Sequence, residues 1–428
     1  MSSELNDVLA IGLPALVIGV ASLTLMIHRE LGPFSGLNTA GKWLLTAAFG
    51  MGLLAFGLKM AVAVALDLRA GTPLLAQFAI PFSQAGAARS ERFANPAPPR
   101  APRYVWAALP EQAPSPADNP TTAAKVALGR RLFFEKKLSA DGSLSCSSCH
   151  DLFAKGGGDG LSRARGIARQ RGPRNTPTVW NAAFQAVLFW DGRAPSLEEQ
   201  AGGPILNPIE MGLASAAEAE RRLAADASYR ADFAAVFGDD RPPSFGRLTQ
   251  AIAAFERTLI TPDTPYDRFV RGDETALDAA QLRGMALFET VGCVLCHRGA
   301  NFSDASLLGS ESARRLFPAN ATPYEDKYRL LLADGQRGVW RVPSLRNVAL
   351  TGPWLHNGAV DQLEEVVRIM AGAQLGRSGQ LNTWLNNDKM LGRIDRSPLG
   401  DGEVADLVAF LKALSSDSLV ARRERKNR

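Results

Sequence analysis

The chain has 428 residues, long for one domain and suited to two domains plus extras, and its 46% hydrophobic content is enough to build real cores. The formal charge of +5 is modest and spread along the chain, so composition argues against a polycationic nucleic-acid binder.

The N-terminus reads as membrane. Residues 8–27 are an uninterrupted run of apolar and small residues, and at roughly 1.5 Å per helical residue such a run matches a hydrocarbon core of about 30 Å. A second run, 43–66, is long enough to cross but contains Lys59, which has to snorkel or lie against the first helix. A cleaved signal peptide is disfavoured, because the first seven residues carry Glu4 and Asp7 but no Lys or Arg. Arg29 and Lys42 lie in the connection between the runs, which places it in the cytoplasm and both flanks outside. Residues 1–70 are therefore expected to form a transmembrane helical anchor, with the rest of the chain exported. His28 is the one histidine near it, and a bis-histidine haem in the bilayer needs two, so the anchor carries no redox centre of its own.

Residues 71–120 lose periodicity and gain proline, from Pro96 through Pro98, Pro99, Pro102, Pro110, Pro114 and Pro116 to Pro120. Such a segment is a semi-extended tether. Its second half has an alternative reading, a belt across the globular body with Tyr104, Val105 and Trp106 docked, and both readings stay open.

Further on, Cys146-Ser147-Ser148-Cys149-His150 is the attachment pattern of a c-type haem. The thiols add to the haem vinyl groups and the histidine meets the iron from one side. The pattern returns at Cys293-Val294-Leu295-Cys296-His297, and the two copies consume all four cysteines, leaving none for a disulfide framework or a Cys-rich zinc site. Each copy follows a Gly-x-x-Leu-Phe pattern, Gly129 to Phe133 and Gly284 to Phe288, on a predicted helix. A last helix is predicted over residues 403–414, where Val404, Leu407, Val408, Leu411 and Leu414 recur at spacings of three and four. No sustained period-two alternation lies between the motifs. The expected fold is all-α: two cytochrome c-type domains, residues 121–262 and 263–416, each with one covalently bound haem, behind the anchor. The basic tail 417–428 reads as a solvated end and not a nucleic-acid site, since no aromatic residues interleave with its charges.

Between the haem motifs lie Gly172-Pro173-Arg174-Asn175-Thr176-Pro177-Thr178, Phe189-Trp190-Asp191-Gly192-Arg193, Glu199-Gln200-Ala201 and Ile209-Glu210-Met211. Downstream come Leu259-Ile260-Thr261-Pro262-Asp263-Thr264-Pro265, Val342-Pro343-Ser344-Leu345-Arg346-Asn347-Val348 and Ile369-Met370-Ala371-Gly372-Ala373-Gln374-Leu375-Gly376. In this order they resemble the bacterial dihaem cytochrome c peroxidases over residues 128–414. The resemblance implies reduction of hydrogen peroxide at the first haem, on His150, with electrons taken from a small cytochrome c or cupredoxin through the second haem, on His297. It implies Met370 as the second ligand of that second haem, where a thioether raises the potential. It implies Glu210 as the acid and base for peroxide cleavage, Gln200 as its distal partner, and Trp190 as a relay between the haems. It further implies a calcium ion held by Asn175 with the carbonyls of Thr351 and Pro353, oxygen donors that suit a hard cation, and a homodimer. His356 falls in a matching motif as a structural residue. Read without the family, Glu210, Trp190 and Met370 are ordinary packing positions.

One departure matters. Many members cap the first iron with a histidine from the following loop, but residues 151–171 contain none, and Ile167 stands in its place. The site is then open at rest or capped by another group such as water. A related dihaem enzyme, which matures methylamine dehydrogenase by oxidising a partner protein, is also uncapped but places tyrosine on its second haem, where this chain has Met370. A plain electron carrier or sensor would leave Glu210 and Gln200 without use. The location implied is the bacterial inner membrane, with the catalytic domains in the periplasm.

Overall fold

The computed structural model describes residues 104–306, 313–378 and 397–427, with short stretches between 24 and 50. Residues 1–80 and 81–428 are two compact units. In the first, residues 39–47 are helical, the Gly41 amide donates to Asn38 Oδ1 at 2.8 Å, and His28 meets Trp43 edge-on at 5.2 Å. Among the described residues no helix is long and apolar enough to cross a membrane. The apolar runs 8–27 and 43–66 lie for most of their length outside the described residues.

The second unit begins with α1, Ala123–Phe133, started by Thr122, whose hydroxyl accepts from the Lys125 amide at 3.3 Å. After it come α2, Cys146–Cys149, α3, Leu197–Leu206, α4, Ala216–Ala224, α5, Ala227–Phe237, and α6, Phe245–Glu256. Helix α3 starts at Ser196, which accepts from the Glu199 amide, and Glu198 and Glu199 in its first turn suit the positive end of its dipole. Leu128, Leu132 and Phe133 of α1 bury against Leu248, Ile252 and Phe255 of α6. At roughly 1.5–3 kcal/mol for each fully buried large apolar side chain, this interface is the main stabilising contact of the first half.

The second half runs through α7, Pro265–Val270, α8, Ala279–Val291, β1, Arg314–Phe317, α9, Tyr324–Lys327, β2, Gly338–Arg341, α10, Leu363–Ile369, α11, Asp401–Ala413, and α12, Asp417–Asn427. Here α8 packs on α11, with Phe288 against Leu407, Phe410 and Leu411 in one core. The Gly-x-x-Leu-Phe repeat is thereby explained as one helix crossing used twice. A Cβ on Gly129 would stand 1.8 Å from the Ala251 carbonyl oxygen, and one on Gly284 would stand 1.9 Å from that of Asp406. Only glycine permits the approach. Helix α11 starts two residues before the predicted 403, because the Glu403 carboxylate reaches back to accept from the Gly400 amide at 2.8 Å.

Three expectations need adjustment. The fold is rich in helix but not all-α: β1 and β2 pair antiparallel, Arg314 opposite Arg341 and Phe317 opposite Gly338. Strands of four residues are too short to display period-two alternation. The second reading of the proline-rich segment holds for its end except at Val105, which is exposed, and Trp106 sits among Tyr266, Phe288, Phe302 and Phe410 at ring distances of 5.8–6.4 Å. Beside it the buried Leu109 amide donates to Asp267 Oδ1 at 2.8 Å, and Tyr104 accepts from the Gly299 amide. The tail expected as a solvated end is helix α12. It buries Leu419, lays Arg422 over the Phe153 ring at 4.5 Å, and donates from Arg423 Nη1 to the Leu350 carbonyl at 3.1 Å.

Candidate active site

Both Cys-x-x-Cys-His motifs are compact turns closed by the same bond: the His150 amide donates to the Cys146 carbonyl and the His297 amide to the Cys293 carbonyl, each at 2.9 Å. His150 Nδ1 lies 2.9 Å from the Gly157 carbonyl, and His297 Nδ1 lies 3.1 Å from that of Phe302. A carbonyl only accepts, so Nδ1 carries the proton in both rings and Nε2 keeps the lone pair an iron needs. Burial lowers both imidazole pKa values, keeping the rings neutral. All four thiols are unpaired, and burial pushes Cys146 and Cys293 up to about 12 and Cys149 up to about 11. A redox Cys-x-x-Cys or a thiolate metal site needs the opposite shift. Two neutral thiols and one oriented imidazole in each half fit a covalently attached haem.

Over the first motif stands a hairpin, residues 164–172. Its Gly166 amide donates to the Gln170 carbonyl and its Gly172 amide to the Ala164 carbonyl, both at 2.9 Å. At its tip Ala168 and Arg169 are consecutive non-glycine residues at φ 51° and 59°, a strained pair that persists where surroundings over-determine it. The hairpin is fastened to the turn that carries Glu210. The Ile167 amide donates to the Glu210 carbonyl at 2.8 Å, and a Cβ on Gly166 would meet the Ile209 oxygen at 1.8 Å. Ile167, at the position expected for the missing histidine, packs its apolar atoms on Gly212.

Glu210 is partly buried and accepts from Asn207 Nδ2 at 3.1 Å. Burial raises its pKa, Arg193 partly opposes this, and its charge is felt at Cys149. Gln200 lies on α3, and the Glu210 turn folds back on that helix through the Met211 amide to the Pro204 carbonyl and the Leu213 amide to that of Ile205. The structure thus brings a carboxylate of raised pKa to the first motif and seats its turn on the helix that carries Gln200.

Trp190 donates from Nε1 to the Asn175 carbonyl at 2.8 Å and meets His356 edge-on at 6.4 Å, while its own carbonyl accepts from the Arg341 amide at 2.7 Å. It is therefore stitched to both halves. Asn175 is drawn to the 351–356 turn by its amide, which donates to the His356 carbonyl at 3.0 Å. Its Nδ2 donates to the Leu161 carbonyl at 2.8 Å, which leaves Oδ1 as the side-chain oxygen available to a cation. An amide oxygen beside a turn of carbonyls is a donor set that fits calcium.

Met370 opens a π-helical turn, Met370–Gln374, directly after α10, a local distortion common at functional sites. It packs with Phe317, Leu330, Val360 and Ile369. Just past the turn, Arg377, whose amide donates to the Ala371 carbonyl at 2.8 Å, acts electrostatically on Cys293 of the second motif.

Sequence reading missed Glu256. It ends α6 beside the first motif, buried, with Oε2 lacking any partner among the described residues, and burial pushes its carboxyl up to about 8. Its charge is felt at Cys146. The available signal was a glutamate in the i, i+4, i+8 stripe begun by Leu248 and Ile252.

A family model described as di-haem cytochrome c peroxidase matches residues 123–275. The cytochrome c551 peroxidase of Pseudomonas aeruginosa is 36% identical over 345 residues, 80% of this chain and 90% of that protein. The methylamine utilization protein MauG of Methylorubrum extorquens is 36% identical over 311 residues, 72% of this chain and 83% of that protein. Among solved structures, a MauG-like protein associated with microbial copper homeostasis is 32% identical with a TM-score of 0.57, covering 77% of this chain and 99% of that one.

Proposed function

Since the chain belongs to the di-haem cytochrome c peroxidase family, we propose that it reduces hydrogen peroxide to water in the periplasm, held to the inner membrane by residues 1–70. Electrons come from a small redox protein such as a cytochrome c or a cupredoxin. The observation that carries this reading is Glu210, a carboxyl of raised pKa beside the first motif.

Cys146, Cys149 and His150 would hold the first haem, which when bound would supply the electrons that split the O–O bond. Glu210 accepts the proton of one peroxide oxygen and delivers it to the other, which leaves as water. Gln200 orients the peroxide. Two electrons and two protons enter for each peroxide, and two waters leave. Cys293, Cys296, His297 and Met370 would hold the second haem, which would supply the electron store. Trp190, bonded to both halves, relays between them. Asn175 and the Thr351 and Pro353 carbonyls would hold a calcium ion beside the turn whose His356 ring meets Trp190.

The second-haem assignment is tested by Met370→Ala. The low-spin absorption and EPR signals of the oxidised protein should disappear and that haem's potential should fall; a surviving low-spin signal removes Met370 from the iron. The anchor is tested by removing residues 1–70 behind a cleavable export signal. A released protein with both haems that consumes peroxide with an artificial donor is expected, and retention in the membrane places the anchor elsewhere.

A second reading, oxidation of a partner protein, is favoured by the hairpin that offers Ile167 where a capping histidine is expected. Steady-state turnover separates the two. A peroxidase consumes many equivalents of peroxide with a small donor alone, whereas a protein-modifying enzyme turns over only with its partner.

A further inference from the structure

Three side chains stack where the two halves meet. The Trp340 indole lies nearly parallel to the His356 imidazole, centroids 4.5 Å apart and planes 18° apart. The Arg174 guanidinium covers the same indole, 4.7 Å from the ring centroid. Trp340 Nε1 and His356 Nδ1 are both buried, and neither has a hydrogen-bond partner among the described residues. Arg174 is half-buried, and among the described residues its side chain makes one hydrogen bond, from Nη1 to the adjacent Pro173 carbonyl at 3.3 Å.

An indole N–H only donates, and leaving it buried without an acceptor is unfavourable. A partly desolvated guanidinium likewise calls for an anion. The His356 imidazole stacked on that indole adds a second buried ring nitrogen without a partner among the described residues. A cation lying over an indole whose N–H lacks an acceptor asks for an anion with more than one oxygen, which is a carboxylate. Trp340 packs in the same cluster as Met370, so the carboxylate belongs to the group held there.

We propose that Arg174, Trp340 and His356 are the binding site for a propionate carboxylate of the second haem, with Trp340 Nε1–H donating to it and Arg174 balancing its charge. The proposal rests on the His297 and Met370 assignment. It makes the second haem a ligand of both halves, because Arg174 belongs to the first. The Arg174 carbonyl accepts from the Ala164 amide at 3.3 Å, at the base of the hairpin that touches Glu210.

The test is an optical redox titration of the second haem in the full-length, haem-loaded protein, with resonance Raman of the propionate bending band. Trp340→Phe keeps the stacked ring and every charge and removes one N–H. Its ferrous-to-ferric ratio at fixed potential should fall about threefold, some ~28 mV at 59 mV per tenfold for one electron, and the band should shift. Arg174→Gln should lower the ratio about tenfold, ~59 mV, and Arg174→Lys should restore most of it. A Trp340→Phe protein with unchanged midpoint and unchanged band overturns the site. So does a response to Arg174→Gln alone, which marks a through-space charge. Should either variant fail to take up haem, the wild-type band after long equilibration in D2O decides: a shift reports an exchangeable donor, and no shift removes it. A wild type without a low-spin histidine/methionine spectrum would instead refute the ligand assignment beneath the proposal, so the two failures are distinguishable.

Discussion

Glu210→Gln should lower peroxide turnover by roughly a hundred- to ten-thousand-fold, about 3–5 kcal/mol of barrier. The substitution keeps size and a hydrogen-bonding oxygen for Asn207 Nδ2 but removes the group that accepts a proton. Both haems should remain, and the Met370 haem should stay reducible, because the carboxylate stands beside the other motif. A pH dependence follows with a definite sign. Burial raises the Glu210 pKa, and only the ionised form acts as a base. The wild-type rate should therefore fall as pH drops through a value above the ordinary carboxylate range, and the variant should lack that limb. Stopped-flow mixing of oxidised enzyme with peroxide reads both points. Fast Soret change in wild type and slow change in the variant is expected. Equal rates remove Glu210 from the chemistry, and an inert oxidised wild type shows that another group caps the first iron where Ile167 cannot.

The second large effect is on stability. Arg346 and Asp267 are fully buried and joined by two bonds, Nη1 to Oδ2 at 2.7 Å and Nη2 to Oδ1 at 2.9 Å. Asp267 also accepts from the amides of Leu109 and Thr264, so it fastens the belt as well as the guanidinium. Asp267→Ala leaves a buried cation without its counter-charge and should cost about 3–5 kcal/mol. Denaturant unfolding followed by circular dichroism should show a lower midpoint. A loss of only about 1 kcal/mol, the size of an exposed pair, would mean that water reaches Arg346 and that the pair is not sealed.

What was legible in the sequence is what covalent chemistry or periodicity imposes. Cys-x-x-Cys-His is fixed by the reaction it serves, and the stripe from Val404 to Leu414 by the pitch of a helix. What was not legible depends on residues far apart in the chain. Nothing local to Trp340 announces that it will lie on His356 under Arg174, since three separate segments must first come together. Glu256 shares a stripe with Leu248 and Ile252, but its burial at the helix end depends on α1 and α3 packing on α6. The pair β1 and β2 escaped because its register is set by partners across the molecule, such as the Trp190 carbonyl that accepts from the Arg341 amide. The basic tail misled for another reason: its charges are real, but Leu419 and the aliphatic stems of its arginines supply the contacts that dock it.

The paired glycine crossings bear on how such a chain tolerates change. In each half the limit is backbone against backbone, Gly129 on Ala251 and Gly284 on Asp406, at the same sequence separation, with Phe255 and Phe410 each one turn beyond. A rule written in backbone atoms leaves nearly every other side chain free to drift. That freedom is why the two helix pairs share so little besides a glycine, a leucine and a phenylalanine. It is also why one half can accumulate a carboxylate and the other a thioether without either helix pair coming apart. The two halves are thus internal references for each other: what they share marks the constraint of folding, and what separates them marks the constraint of chemistry.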